Sequence, residues 1–286
     1  MVLPSSGAIS LLDIQSEFGG SNPIGIDEYY GVDNGVPSNG QISFADFYNK
    51  SGAIVSNGLI ANWRPSAYPG TGATWDDSYI GDGTNNQMTK VGNPTYTSGT
   101  PSYFQTSDNN HWSVTTRPTG SYSAASILFW RNQTGTDAAG QDVYGNFAIR
   151  YGSGTAFGVE TQNAITNSGN SARVGYFWNN NASNTWGYNT GLTMSTNTWY
   201  LIGVTLDATE VIFYRGTGST LSTNTRTFAH TAQTIASDSN IYYGGDPEQT
   251  NRGFDGRLGE LWFYNRKLSN SEVTSIFNST KASYGF

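Results

Sequence analysis

Apolar positions follow two different patterns along the chain, and the pattern changes near residue 52. Before that point one short phrase occurs three times, at residues 9–14, 24–29 and 42–47: Ile, Ser or Gly, an apolar residue, any residue, an acid, and an apolar or aromatic residue. After it, short runs of β-branched and aromatic residues alternate with polar turns. The sequence therefore predicts two domains, an N-terminal repeat segment at 1–52 and a β domain at 53–286.

Each phrase carries the signals of a short helix. Ser10 precedes Asp13, and Ser43 precedes Asp46, by three residues. That is the spacing at which an N-cap and its capping-box partner satisfy each other's exposed backbone donors. The first and third phrases are therefore predicted to begin helices.

The middle phrase departs from the other two because Gly25 stands in the serine position, and Asp27 is the expected substitute cap. Helices of about two turns are marginal by themselves in water. We therefore expect them to bury their apolar side chains against each other or against another protein. The predicted assembly residues are Ile9, Leu12, Ile14, Phe18, Ile26, Tyr30, Phe44 and Phe47.

The larger domain is predicted to have a mainly β fold. Strand-length runs occur at 126–130, 146–151, 173–178, 199–205, 210–214 and 259–264. No amphipathic helix separates these runs, which favours an antiparallel sandwich over a parallel α/β fold. One late helix is predicted after Leu268, because Ser269 and Glu272 form a capping signal and apolar residues then recur at helical spacing.

Several segments resemble the concanavalin A-like, laminin G-like (LamG) jelly-roll family. GLIANWRPSAYPGTGATWDD at 58–77 is similar to its opening strand and loop, and SILFWRN at 126–132 to its buried tryptophan strand. NTWYLIGVTLDATEVIFYRG at 197–216 is similar to its central hairpin, and FDGRLGELWFYNRKLSNSEV at 254–273 to its closing strand and helix. The resemblance implies an antiparallel jelly-roll sandwich.

The N-terminal phrases resemble a repeat found near the start of structural proteins of tailed bacteriophages, particularly those of cyanobacteria. The resemblance lies in VLPSSG at 2–7, DIQSEFGGSNPI at 13–24 and EYY at 28–30. It implies a virion fibre or appendage subunit, assembled in the host cytoplasm, in which residues 1–52 anchor the chain to other virion proteins. A homotrimer is expected from the same resemblance, whereas the repeats alone would also permit a dimer or docking to a different protein.

Composition narrows the classes of partner. The chain has a formal net charge of -7 and a pI near 4.7, which disfavours nucleic acid and anionic membranes as partners. The absence of cysteine excludes disulfides and thiolate chemistry. Neither a signal peptide nor a membrane span is expected from the hydropathy pattern.

Catalysis and metal binding receive little support. A glycoside hydrolase needs two facing carboxylates. The nearest pair in the sequence, Asp207 and Glu210, is predicted to lie in a hairpin turn, so we do not expect the protein to be an enzyme. His111 and His230 lack acids at ligand spacing and are expected to be surface or loop residues. No cofactor is expected, except that Ca²⁺ could be held by the oxygen-rich stretch Asp76, Asp77, Asp82, Asn85 and Asn86.

Sugar binding would need exposed aromatic faces beside polar partners. The candidate residues form two groups, one of Trp75, Asp77 and Trp112, the other of Trp178, Asn180, Trp186 and Tyr188. Trp63, Trp130, Trp199 and Trp262 have the pattern of core residues, and a core position remains an alternative for Trp178 and Trp186.

Three functions are therefore open. The first is a tail, baseplate or neck fibre subunit whose sandwich binds host-surface glycans. The second is a capsid decoration or cement protein that binds no sugar. The third, a glycan depolymerase, is disfavoured by the missing acid pair.

Overall fold

The computed structural model describes most of the chain. The described residues are 3–4, 6–18, 23–30, 36–37, 39–48, 55–79, 86–107, 109–114, 119–135, 143–151, 154–162, 174–178, 191–235, 239–245 and 253–286.

The chain divides into two compact units. Unit 1 consists of residues 1–57 together with 269–286, and unit 2 of residues 58–268. The sequence pattern placed the C-terminal helix in the β domain, whereas the structure groups it with the N-terminal phrases. The physical reason is a contact between two helices, α1 (Leu11–Phe18) and α2 (Asn270–Thr280).

Unit 2 is a two-sheet antiparallel sandwich, as the sequence predicted. Its strands are β1 Leu59–Trp63, β2 Thr74–Trp75, β3 Met88–Val91, β4 Thr95–Thr97, β5 Tyr103–Thr106, β6 His111–Val114, β7 Gly120–Tyr122, β8 Ala125–Gln133, β9 Val143–Tyr151, β10 Gly154–Gln162, β11 Val174–Trp178, β12 Tyr200–Leu206, β13 Glu210–Thr217, β14 Thr220–Thr227, β15 Gln233–Ile235, β16 Asn240–Tyr243 and β17 Gly256–Tyr264. A short 3-10 helix, Pro65–Ala67, follows β1.

The larger sheet has eight strands in the order β14-β13-β12-β8-β17-β5-β4, with β1 also paired to β17. The second sheet has seven, in the order β11-β10-β9-β16-β6-β3-β2, and β7 pairs with β15. Neighbours in sequence are often not neighbours in the sheet, since β8 lies between β12 and β17. This mixing of distant segments is typical of a jelly roll.

The core lies between the two sheets and follows the alternation of each strand. The larger sheet contributes the buried side chains of Phe129, Ile202 and Phe263, and the smaller sheet contributes Trp112 and Phe147. All are at most 1% exposed. The predicted core tryptophans Trp63, Trp130 and Trp262 are also buried, and Trp199 is 8% exposed.

In unit 1, the first and third phrases form capped helices, as predicted. Ser10 N–H donates to Asp13 Oδ2 at 2.7 Å at the start of α1, and Ser43 N–H donates to Asp46 Oδ2 at 2.7 Å. The third phrase is a single 3-10 turn, Phe44–Phe47. The Ser10 hydroxyl hydrogen bond holds the pKa of Asp13 below its ordinary value.

The middle phrase forms a 3-10 turn, Ile26–Tyr29, with a different cap from the predicted one. Gly25 N–H donates to Glu28 Oε1 at 3.1 Å, so Glu28 rather than Asp27 supplies the acceptor. Glu28 stands at the third helical position, which is where Asp13 and Asp46 stand in their phrases. The capping acid therefore keeps its place although the serine is missing.

The phrases bury their apolar residues against one another. Ile14 and Phe47 are completely buried, and Ile9, Phe18 and Ile26 pack against the same cluster. Three of the predicted assembly residues point outward instead: Leu12 is 67% exposed, Phe44 43% and Tyr30 36%. In the middle phrase the buried ring is Tyr29 rather than the predicted Tyr30, because Tyr29 occupies the sixth position of the phrase, as Ile14 and Phe47 do.

Helix α2 begins where the capping signal predicted. Glu272 N–H donates to the Ser269 hydroxyl at 3.3 Å, and Ser269 N–H donates to Glu272 Oε2 at 2.8 Å. Val273, Ile276 and Phe277 form its buried stripe. Among the described residues, no helix combines the length and apolar character needed to cross a membrane.

Candidate glycan-binding face

The first predicted sugar-binding group lies inside the sandwich. Trp75 and Trp112 are completely buried, with ring centroids 5.4 Å apart, and each lies 4.7 Å from the ring of Phe104. Neither indole has an exposed face on which a sugar could stack. We therefore assign both rings to the core.

The carboxylate of Asp77 accepts hydrogen bonds from neighbouring segments of the sandwich. Its Oδ1 accepts the N–H groups of Asn62 and Tyr79, both at 2.8 Å, and its Oδ2 accepts Asn86 Nδ2 at 3.2 Å. The carboxylate is 5% exposed. It ties strand β1 to the segment around Asn86 through these N–H donors.

The proposed Ca²⁺ stretch is only partly described. Asp76 accepts a hydrogen bond from Gln87 at 2.6 Å, whereas Asp82 and Asn85 lie outside the described residues. Over the described part of the chain, no group of three or more His, Asp or Glu side chains could hold a metal ion. The Ca²⁺ site stays a prediction.

The second predicted group begins with a buried ring. Trp178 is 2% exposed, and its Nε1–H donates to the carbonyl of Thr231 at 2.7 Å. This is the core position that the sequence left as an alternative. Asn180, Trp186 and Tyr188 lie outside the described residues, so their assignment to a sugar site stays a prediction.

His230 is part of the same region. Its Nδ1 lies 2.6 Å from the carbonyl oxygen of Asp207, so this nitrogen carries the proton, and Nε2 accepts the hydroxyl of Tyr176 at 2.7 Å. Burial lowers the pKa of His230, although the Asp207 carbonyl opposes the shift. The imidazole connects the end of β14 to strand β11.

The outer face of the seven-stranded sheet presents aromatic rings that sequence analysis missed. On β16 and β11, Tyr242 and Phe177 alternate with core residues and so point away from the core. Both are partly exposed. The strand registers place them in one row across the sheet, which runs Thr89, Ser113, Tyr242, Ala148, Gly158 and Phe177. We call this set the outer row.

The two aromatic rings of the outer row lie well apart on the sheet. Tyr242 and Phe177 are separated by three interstrand spacings, a distance of about 14 Å. The two positions between them, Ala148 and Gly158, have the smallest side chains in the row and are themselves buried. On the other side of Tyr242, the hydroxyl of Ser113 is partly exposed.

His111 supports the ring of Tyr242 from the same face. The prediction of a surface or loop position was wrong for His111, which is 3% exposed and begins strand β6. Its ring centroid lies 6.0 Å from that of Tyr242 in an edge-to-face arrangement. A Cβ at Gly245 would come within 2.3 Å of His111 Cγ. Glycine at position 245 therefore leaves room for the imidazole.

The described carboxylates near strand ends are engaged in structural contacts. Lys267 Nζ lies 2.9 Å from Asp207 Oδ2 and also contacts Glu210. Burial alone would raise the pKa of Asp207, but hydrogen bonds from Thr209 and Lys267 outweigh it and hold the pKa below its ordinary value. The predicted hairpin turn at 207–210 is confirmed, since Leu206 pairs with Val211.

Glu260 is a second carboxylate that is held by a cation and by hydrogen bonds. Its Oε1 accepts Arg64 Nε at 2.8 Å and Asn62 Nδ2 at 2.9 Å. Burial raises the pKa of Glu260, and the Arg64 charge partly offsets the shift. Glu260 and the Asp207–Glu210 turn lie on different strands, and each is paired with its own cation.

The fold and this face define a class: a two-sheet antiparallel sandwich of the lectin type, with a partly exposed aromatic row on one sheet. The chain belongs to the concanavalin A-like lectin/glucanases superfamily, because the laminin G family model with that description matches residues 98–274. No curated protein matches the chain.

Solved structures share the fold at low identity. Trypanosoma rangeli sialidase is 14% identical with a TM-score of 0.51, and the match covers 91% of this chain and 38% of the sialidase. Domain 4 of AbnA, a GH43 extracellular arabinanase from Geobacillus stearothermophilus solved with arabinotriose, is 13% identical with a TM-score of 0.50. That match covers 77% of this chain and 98% of the domain. At these identities the likeness shows the fold alone.

Proposed function

We propose that this protein is a non-enzymatic, glycan-binding subunit of a bacteriophage virion appendage. The observation that carries the binding function is the outer row of a lectin-type sandwich, in which Tyr242 and Phe177 present partly exposed rings. Aromatic faces beside hydroxyl groups are the usual means of holding the apolar and polar sides of a sugar.

The spacing of the two rings indicates the kind of glycan. Because about 14 Å separates them, one monosaccharide cannot contact both. A chain of several sugars laid across the strands would stack on Tyr242 and Phe177 and pass over Ala148 and Gly158. The arabinotriose bound to domain 4 of AbnA is an oligosaccharide of this kind, which supports the proposal by fold analogy.

The virion role is supported by the N-terminal phrases, whose likeness to the start of phage structural proteins is the reason to propose it. In this proposal unit 1 attaches the chain to other virion proteins and unit 2 faces the host surface. The homotrimer expected from the same resemblance stays a prediction.

We also propose that the protein is not an enzyme. This proposal is supported by the way in which described acids are used: Asp207 and Glu210 share Lys267, and Glu260 is held by Arg64. A hydrolase of the two-carboxylate kind would need a protonated acid and an ionised partner facing a common substrate.

Glycan binding can be tested with the full chain on an array of host-surface polysaccharides, with arabino-oligosaccharides and sialylated glycans included, followed by calorimetry. We expect Tyr242→Ala and Phe177→Ala each to weaken binding about tenfold. Tyr103→Ala is the matched control, since this partly exposed tyrosine lies on β5 of the other sheet. Loss of affinity in the control alone, or no binding by the wild type, would contradict the proposal and favour the cement function.

A further inference from the structure

The three phrases use the same position to build one centre. The sixth residue of each, Ile14, Tyr29 and Phe47, is at most 2% exposed, and all three belong to one cluster. The rings of Tyr29 and Phe47 lie 6.0 Å apart, edge to face, and Phe18 lies 6.3 Å from the first and 5.8 Å from the second. Each phrase therefore supplies an equivalent part of a shared core.

The residue after that position links one phrase to the next. Tyr30 follows the second phrase, and its hydroxyl donates to the carbonyl of Gly40, two residues before the third phrase. Tyr48 follows the third phrase, and its hydroxyl donates to the carbonyl of Gly7, two residues before the first. The donor, the acceptor and the spacing are the same in both links.

The acceptor glycines are equivalent in conformation too. Gly7 has φ of 99° and Gly40 has φ of 84°, a region that glycine reaches without the strain other residues would meet. A repeated contact that runs from the second phrase to the third and from the third to the first is the pattern of a head-to-tail ring. After the first phrase the equivalent position is Gln15 rather than a tyrosine, so the tyrosine links join two of the three pairs of phrases.

We propose that unit 1 is an internal three-membered ring, in which one chain supplies the three equivalent parts that a trimeric assembly would take from three chains. The face that each phrase would offer to a second copy is filled by the next phrase of the same chain. The three phrases then complete their core within one chain, and Leu12 and Phe44 remain outside it. The inference stands apart from glycan binding and deepens the proposed attachment role.

Chemical cross-linking separates a ring within one chain from exchange between chains. The chain has no cysteine, so two introduced thiols are the only reactive ones. Ala8→Cys combined with Ala45→Cys places one thiol near each end of the link from the third phrase to the first and leaves the Tyr48 hydroxyl and the Gly7 carbonyl in place. With a short bismaleimide, we expect a linked product at the mass of one chain, 30.9 kDa.

The control is an equal mixture of the two single variants, unfolded and refolded together. A ring within one chain gives no linked pair in this mixture. Linked pairs between chains, or the absence of an intrachain link in a folded double variant, would overturn the proposal. The readout reports the phrases alone, so a failed glycan assay leaves it unaffected.

Hydrogen exchange tests the ring without new thiols. Tyr48→Phe should speed hydrogen exchange by about three- to tenfold in the third phrase and in the first phrase, whose Gly7 carbonyl accepts the lost hydrogen bond. Tyr30→Phe should speed exchange by a similar factor in the second and third phrases. Tyr68→Phe is the matched control, because its hydroxyl donates to the Gly72 carbonyl at 2.7 Å in unit 2. Faster exchange confined to the substituted phrase would contradict the ring.

Discussion

Phe44 and Phe47 lie in one 3-10 turn of four residues, yet Phe47 is completely buried and Phe44 is 43% exposed. Phe47 occupies the sixth position, which faces the shared centre of the three phrases. Phe44 occupies the third position and lies outside that cluster, although the third residues of the other phrases, Leu11 and Ile26, pack against it.

This pair gives the first prediction. Phe47→Ala should destabilise unit 1 by about 3 kcal/mol, because it leaves a cavity where Phe18 and Tyr29 now pack. Phe44→Ala is the matched control and should change stability by less than about 0.5 kcal/mol.

The measurement is denaturant unfolding followed by hydrogen exchange in residues 1–57. All eight tryptophans lie in unit 2, so their fluorescence serves as a separate report on the sandwich. Equal costs for the two substitutions would show that the phrases do not share a core in solution.

A second prediction concerns acid stability. The pKa of Asp207 is held below its ordinary value of 3.8 in the folded state, since hydrogen bonds from Thr209 and Lys267 outweigh burial. The carboxylate therefore stabilises the fold fully above that value, and the contribution is lost as the pH falls through the folded pKa. Asp207→Asn should lower the melting temperature at neutral pH, and the difference from the wild type should shrink below pH 3.8.

Melting curves at a series of pH values check this second prediction. Lys267→Met is the companion variant, since it removes the cation that contacts Asp207, and its cost should also fall in acid. A cost that stays constant from neutral pH into acid would mean that the ionised carboxylate contributes nothing.

Local signals made much of the fold predictable. Ser10 and Ser43 cap their turns because capping depends on spacing within a few residues, and the run at 126–130 lies within strand β8 because β-branched and aromatic residues suit a pleated sheet. The start of α2 at Ser269 was predictable for the same reason as the other caps.

The candidate site was less predictable, because orientation depends on alternation. Phe177 lies between Tyr176 and Trp178, and Tyr242 between Ile241 and Tyr243, so the pattern of polarity gives no sign of which rings point outward. The assignment depends on register with distant strands, which a single sequence does not contain. The grouping of α2 with the phrases is a long-range contact of the same kind.

A third prediction concerns the imidazole of His230. Burial lowers its folded pKa from 6.5, so folding favours the neutral form, and the stability it contributes is complete above pH 6.5 and lost as the pH falls below it. The groups that face the ring are the Asp207 carbonyl, the Tyr176 hydroxyl and the ring of Trp178. Protonation of Nε2 would remove the acceptor for Tyr176.

We expect the free energy of unfolding to fall as the pH is lowered from 7.5 to 5. His230→Gln should remove that part of the slope, and Tyr176→Phe should reduce stability at neutral pH. The check is urea unfolding across the pH range, with the change in slope in His230→Gln as the readout. An unchanged slope would place the titration at another group.

The last prediction contrasts two neighbouring acids. Asp77 accepts three N–H donors and is 5% exposed, whereas Asp76 is exposed and accepts one amide donor from Gln87. Asp77→Asn turns one acceptor oxygen into an NH₂ group that faces these donors, so it should destabilise the sandwich by about 2 kcal/mol. Asp76→Asn should change stability by less than about 0.5 kcal/mol.

Thermal melts with EDTA and with added Ca²⁺ separate this structural role from metal binding. If Asp77 acts only through its N–H donors, the cost of Asp77→Asn is the same in both solutions, and Ca²⁺ leaves the wild type unchanged. If Ca²⁺ raises the wild-type melting temperature and both substitutions abolish the rise, the two carboxylates are metal ligands. That result would overturn the structural assignment of Asp77 and support the oxygen-rich Ca²⁺ stretch predicted from the sequence.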